Sequence, residues 1–232
     1  MSAVYLQIAD ETAITAADTY SIRAKTGGPL KLADKFIPLP HLNMVLTGTG
    51  YHGFLLEWYQ ALQRDAAPTD IEHLNEFAPA LLQETWLRFK WKNDLPESPP
   101  GSGGSKICHL GYSERKESFV GYYYDLKDDF APTTVRPGQE YLMPKMEGVH
   151  DALLEGDYTA QEQVIAFFQR AKELDEQKPV GERVGIGGEI KFLGQGQWGH
   201  VCKTIHRFDN YEETKASILE TNQDPDRRTL AV

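Results

Sequence analysis

The hydrophobic period alternates along this chain between two and about 3.6 residues, and that order limits the fold more than any bulk property. Val4, Leu6 and Ile8 share one strand face, with Tyr5 and Gln7 on the other. Asp10-Glu11 turns the chain, and residues 12–17 return as a second strand. Residues 25–29 read as a polar loop. Residues 35–39 form a third strand, in which Pro38 denies the ladder one donor. Residues 43–47 form a fourth, buried strand that runs into Gly48, Gly50 and Gly53. Phe54, Leu55, Trp58 and Leu62 then fall at helical spacing. A second helical stretch spans 69–90, and Pro79 is expected to kink or divide it.

The second half repeats the alternation. Strands at 106–111 and 118–124 flank a charged turn, and short strands are expected near 133–136 and 141–143. A helix is expected from about Val149. The clearest helix, 160–176, opens on the capping box Thr159/Glu162. Its stretch from Arg170 to Glu176 reads as a solvated face. Residues 185–193 and 198–206 form a last hairpin, turning across Gly194–Gly196. Strand runs joined by hairpins, with helices between them, indicate an α+β architecture of two stacked, mainly antiparallel sheets flanked by helices. One domain is expected over 1–220, with 93–105 as a surface loop and 221–232 as a flexible tail.

Bulk properties exclude several classes of function. The net charge of −10 and the absence of a basic block disfavour a nucleic-acid partner. No apolar run approaches the roughly 20 residues that cross a bilayer, and the first residues lack the basic and apolar regions of a signal peptide. Cys108 and Cys202 are far apart, so a reduced, cytoplasmic chain is expected.

Ser2 carries the most specific chemical possibility. With Met1 removed, it holds both a hydroxyl and a free α-amine, whose ordinary pKa is about 7.7–8.0. Such an amine can serve as general base for its own hydroxyl. Many chains begin Met-Ser without catalytic use, so the surrounding pattern has to carry the argument.

That pattern is the N-terminal hairpin, Ala16-Ala17-Asp18, Lys35-Phe36-Ile37, and Leu46-Thr47-Gly48-Thr49-Gly50 followed by a helix. Together these resemble a proteasome β-subunit and its bacterial relatives among the N-terminal-nucleophile hydrolases. The separations Ser2–Asp18, 16 residues, and Ser2–Gly48, 46 residues, equal the family spacing. Ser2–Lys35, 33 residues, is one longer, and a strand slip there would flip the side chain. Lys31, placed in the loop, is the poorer alternative.

The resemblance implies a four-layer αββα sandwich, a peptide or other amide substrate, a homo-oligomeric ring, and no cofactor or metal. An unfoldase partner is left open. It also implies roles: Ser2 as nucleophile and base, Lys35 as the charge that lowers the amine pKa, Asp18 as the holder of Lys35, and the Gly48 N–H as oxyanion donor. The chain departs from the family where an Asp and a Ser support the nucleophile. Arg183 and Ile186 stand there, and Met143-Pro144-Lys145 replaces a further Ser-Gly segment. An inactive scaffold or binding subunit is therefore the alternative reading.

Two other patterns weigh less. Residues 48–53 match the dinucleotide glycine pattern, but a helical stretch follows the first helix where that fold needs a strand. His200, Cys202 and His206 share a face by period-two spacing, yet no second ligand cluster accompanies them, and structural roles are expected.

Overall fold

The computed structural model describes residues 3–9, 11–22, 28–95, 105–152 and 158–223. The N-terminal hairpin is β1 (Val4–Ile8) and β2 (Thr12–Asp18), paired from Val4↔Ala17 to Ile8↔Ala13. A ribbon follows, β3 (Tyr20–Ile22) and β4 (Pro29–Leu32), which takes in Pro29 and Lys31, both read as loop; residues 25–27 of that loop lie outside the described residues. Next come β5 (Phe36–Leu39) and β6 (Met44–Thr49), then α1 (His52–Asp65) and α2 (Ile71–Lys92). The second half holds β7 (Lys106–Ser113), β8 (Ser118–Asp125), β9 (Pro132–Val135) and β10 (Glu140–Met143). It ends with α3 (Ala160–Glu176), β11 (Glu189–Gly196), β12 (Gly199–Arg207) and α4 (Tyr211–Gln223).

The strands form two five-stranded antiparallel sheets, ordered β10-β1-β2-β11-β12 and β5-β6-β7-β8-β9, beside the two-stranded β3-β4 ribbon. Three apolar clusters join them. Val4, Leu6, Ala17 and Leu193 from the first sheet pack with Phe36, Val45, Cys108 and Leu110 from the second. Phe54, Trp58, Leu74, Leu82 and Trp86 of α1 and α2 cover Met44, Leu46 and Tyr124. Val164, Phe167, Phe168 and Ala171 of α3 cover Tyr5, Ala16 and Ile190. Alternation thus works on both faces: Val4 and Tyr5, adjacent in β1, enter different clusters. No helix among the described residues is long and apolar enough to cross a membrane.

Several expectations change in physical detail. Pro79 does not divide α2, which buries Ile71, Leu74, Ala78, Leu82, Trp86 and Phe89 along its length. That burial outweighs the roughly 3 kcal/mol cost of an interior proline. Asn43 is no strand residue; it closes the 3₁₀ turn Pro40–Leu42 in the left-handed region, φ 45°. The helix expected from Val149 is, among the described residues, one 3₁₀ turn, His150–Ala152. Gly194 and Gly196 do not turn the last hairpin. They are held in β11 by β12 on one side and β2 on the other, and Gln197-Trp198 makes the turn. The α4 helix was not foreseen, and it takes in 221–223 of the segment read as tail. Most of the 93–105 loop (96–104) and the remaining tail (224–232) lie outside the described residues.

The α1–β7 contact contains a buried histidine. The Trp58 Nε1–H donates to His109 Nε2 at 3.0 Å, and the two rings stack at 5.7 Å. Burial lowers the His109 pKa to about 3. An unfolded histidine titrates near 6.5, so the native fold disfavours protonation across the interval between. Stability from this group is full above about pH 6.5 and is lost as pH falls towards 3. Urea unfolding should therefore show the wild type losing about 1.4 kcal/mol per pH unit more than His109→Gln between pH 6 and 4. Equal slopes would mean that His109 is not held neutral by burial.

Candidate functional site

The site is built where β2 ends, where the chain enters β5, and where the loop before β11 passes between them. Asp18 closes β2 with 0% exposure, and Lys35 precedes β5 with 1%. The Lys35 ammonium donates to Asp18 Oδ1 at 2.7 Å and also to the Tyr20 carbonyl oxygen. Asp18 is further held by backbone donors: Ala3 N–H on Oδ1 at 3.0 Å, and Tyr20 N–H and Gly187 N–H on Oδ2, each at 3.2 Å. Burial pushes the Asp18 carboxyl up and the Lys35 ammonium down, and their mutual attraction opposes both shifts. Two charges this deep need such a surround, because desolvation costs several kcal/mol per ion.

The sequence predicted Asp18 and Lys35 as partners, and the structure brings them into contact despite the one-residue offset. Lys35 lies before the first paired residue of β5, so the pleat of that strand does not fix its direction. Instead, Thr47 Oγ1 donates to the Lys35 carbonyl at 2.7 Å and anchors the backbone.

Gly48 lies one register step beyond Thr47, the partner of Phe36, and so stands beside Lys35 at the end of the β5–β6 pair. It belongs to β6 itself and faces Ile107 across the ladder. A Cβ there would lie 2.3 Å from the Lys106 carbonyl oxygen, so close strand approach demands glycine. The strand-to-helix turn is made by Gly50, at φ +95°.

Ser2 lies outside the described residues. The next residue does not: Ala3 donates to Asp18 Oδ1 and accepts from the Asp18 N–H at 3.4 Å. The chain is therefore tied to the carboxylate immediately after position 2.

Arg183 and Ile186 occupy structural positions. Arg183 donates to the carbonyls of Lys178 and Glu176, closing the end of α3, and Ile186 is buried against that helix. Asp175, read as part of a solvated face, is 2% exposed. Its carboxylate accepts from Val184 N–H at 2.8 Å and Gly185 N–H at 2.9 Å. It thereby shapes the loop that delivers Gly187 to Asp18. Helical spacing could not reveal this, because the partners follow the helix.

Lys31, weighed only as an alternative to Lys35, and His52, which the sequence did not single out, both lie near the pair. Lys31 is not in a loop; it pairs with Ser21 in the β3–β4 ribbon. His52 opens α1, and its pKa falls to about 4 through burial and the nearby charges of Lys31 and Lys35.

The other sequence patterns do not assemble into sites. His200 and Cys202 face Gln195 and Leu193, but a register shift at Ile190/Lys191 pairs His206 with Ile190 and turns it to the opposite sheet face. Among the described residues no three His, Cys, Asp or Glu groups could hold a metal ion. The glycine run 48–53 is followed by α1 and then α2, without the βαβ crossover a dinucleotide site requires.

No protein-family model matches the chain. No curated protein matches it either. Among solved structures, the fold is similar to that of Anbu from Hyphomicrobium sp. strain MC1, in a Gly-1 mutant form. The TM-score is 0.59 with 10% sequence identity, covering 96% of this chain and 95% of that one. At this identity the likeness concerns the fold alone, and it supports a proteasome-like one.

Proposed function

We propose that this protein is a proteasome-like amidohydrolase with an N-terminal serine nucleophile, folded as a four-layer αββα sandwich and working in a homo-oligomeric ring. The observation that carries the reading is the buried Asp18–Lys35 pair, tied by a hydrogen bond to Ala3, the residue next to Ser2. The three apolar clusters, one shared by both sheets and two beneath helices, support the layering. The ring is an inference from the proteasome-like fold.

In this reading Ser2 Oγ attacks the carbonyl carbon of a peptide or other amide. The Ser2 α-amine takes the hydroxyl proton and returns it to the leaving nitrogen. The Lys35 ammonium disfavours a second positive charge beside it and so lowers the amine pKa. Asp18 holds Lys35 in place and is itself held by three backbone donors. The Gly48 N–H donates to the oxyanion, a contact of the kind typically worth about 10²–10³ in rate.

A second reading rests on a specific observation. Arg183 and Ile186 stand where the resembled family places a supporting acid and serine, and both are committed to packing around α3. A subunit that keeps the buried pair for stability, without turnover, would carry this pattern.

Intact mass separates the readings first. A mass lacking Met1 is expected; retention of Met1 in every preparation would leave no free Ser2 amine and favour the scaffold. Ser2→Ala should abolish hydrolysis of peptide amides with an unchanged circular dichroism spectrum, and full activity in that variant would rule the mechanism out. Asp18→Asn leaves Lys35 without its counter-charge and should lower kcat by about tenfold or more, while costing about 3–5 kcal/mol of stability, the range for broken buried pairs. An unaltered rate would remove Asp18 from the site.

A further inference from the structure

Near the buried pair stands a second positive charge that has no counter-charge among the described residues. Lys35 is neutralised by Asp18 at 2.7 Å. Lys31, by contrast, is half-buried, and its ammonium has no hydrogen bond or ion pair among the described residues. Its placement is fixed by the ribbon: Lys31 pairs with Ser21, the neighbour of Tyr20. Tyr20 gives its carbonyl to Lys35 and its N–H to Asp18. His52 lies near enough to feel both lysines: burial first, and the charges of Lys31 and Lys35 next, lower its pKa to about 4, so its ring is neutral at physiological pH. His52 also opens α1, whose first turn carries no acidic residue and no side-chain cap, leaving its positive dipole end unmatched. Burial disfavours the Lys31 charge, and an incoming anion would relieve that.

We propose that Lys31 selects amide substrates bearing a carboxylate beside the scissile bond. The inference rests on the hydrolase reading above, since it assigns specificity to that same site. A substrate carboxylate at Lys31 would form an ion pair that no described residue supplies, beside a cation that is already paired. A basic group there would meet Lys31 and the positive end of α1. A neutral apolar group would leave the half-buried ammonium without a partner, which is the costlier outcome.

Binding and turnover separate this proposal from the reading beneath it. The probes are three N-acetylated tripeptide amides that differ only in the last side chain: aspartate, leucine or lysine. Titration calorimetry on the wild-type protein should show the aspartyl peptide binding about tenfold tighter than the leucyl one, the scale of one charge-assisted contact. Lys31→Met should erase that difference, and Lys31→Glu should shift preference to the lysyl peptide. Lys31 lies on a surface ribbon, and the circular dichroism of both variants should match the wild type. Equal binding of the aspartyl and leucyl peptides, tighter leucyl binding, no binding of any of the three, or a preference unchanged in Lys31→Glu would overturn the proposal. The same peptides as fluorogenic amides report turnover separately. Preference without turnover contradicts the hydrolase reading alone, and turnover without preference contradicts the role of Lys31 alone.

Discussion

The ion pair between Asp18 and Lys35 is the constraint around which the rest of the site is arranged. Both side chains are removed from water, and neither would be tolerated there alone. Asp18 therefore collects the Ala3 N–H, the Tyr20 N–H, the Gly187 N–H and the Lys35 ammonium. Each donor comes from a different part of the chain. The start of β1, the start of β3, the approach to β5 and the loop before β11 are thus fixed relative to one another by one carboxylate. A polar group that ties four segments together in this way specifies geometry more than it adds stability.

The two sheets supply the rigidity that this arrangement needs. Pairing of β2 with β11 brings Ile190 opposite Asp18, which sets the Gly187 loop within reach of the carboxylate. Pairing of β5 with β6 carries Gly48 to the side of Lys35. Asp175, at the far end of α3, holds the same loop from behind through Val184 and Gly185. The positive φ of Gly185, +77°, and of Gly188, +76°, lets this loop turn so tightly. A Cβ at Gly185 would lie 2.5 Å from Ile22, and one at Gly188 would lie 2.5 Å from Thr19, so the β2–β3 segment also packs close against it.

Much of this was legible in the sequence, and what was not has a physical cause. Alternation around Val4 and the capping box at Thr159 are local signals, and β1 and α3 follow them. Asp18 could be chosen by its position at a strand end. Lys35 could be named but not oriented, because contacts from Asp18, Tyr20 and Thr47 place it, and strand parity does not. Gly48 was named as an oxyanion donor from its spacing to Ser2, and what demands glycine there is the Lys106 carbonyl across the ladder. Asp175 sits among exposed charges on its helix, and only the tertiary path of the following loop buries it. The place of Lys31 is set by β4 folding back on β3, a three- to four-residue ribbon too short to leave a periodic signature. The slip that separates His206 from Cys202 is likewise a backbone irregularity that spacing alone cannot register.

The likeness to Anbu supports the fold alone, and the proposed chemistry rests on the buried pair. That chemistry is a proposal, in which the Lys35 charge acts on the α-amine of residue 2. The most direct measurement is the titration of that amine in the Met1-processed protein, followed by nitrogen NMR with label at Ser2. If Lys35 acts in this way, the pKa lies below the ordinary range of about 7.7–8.0 in the wild type and returns to that range in Lys35→Met. An ordinary pKa in the wild type, unmoved by loss of the Lys35 charge, would contradict it.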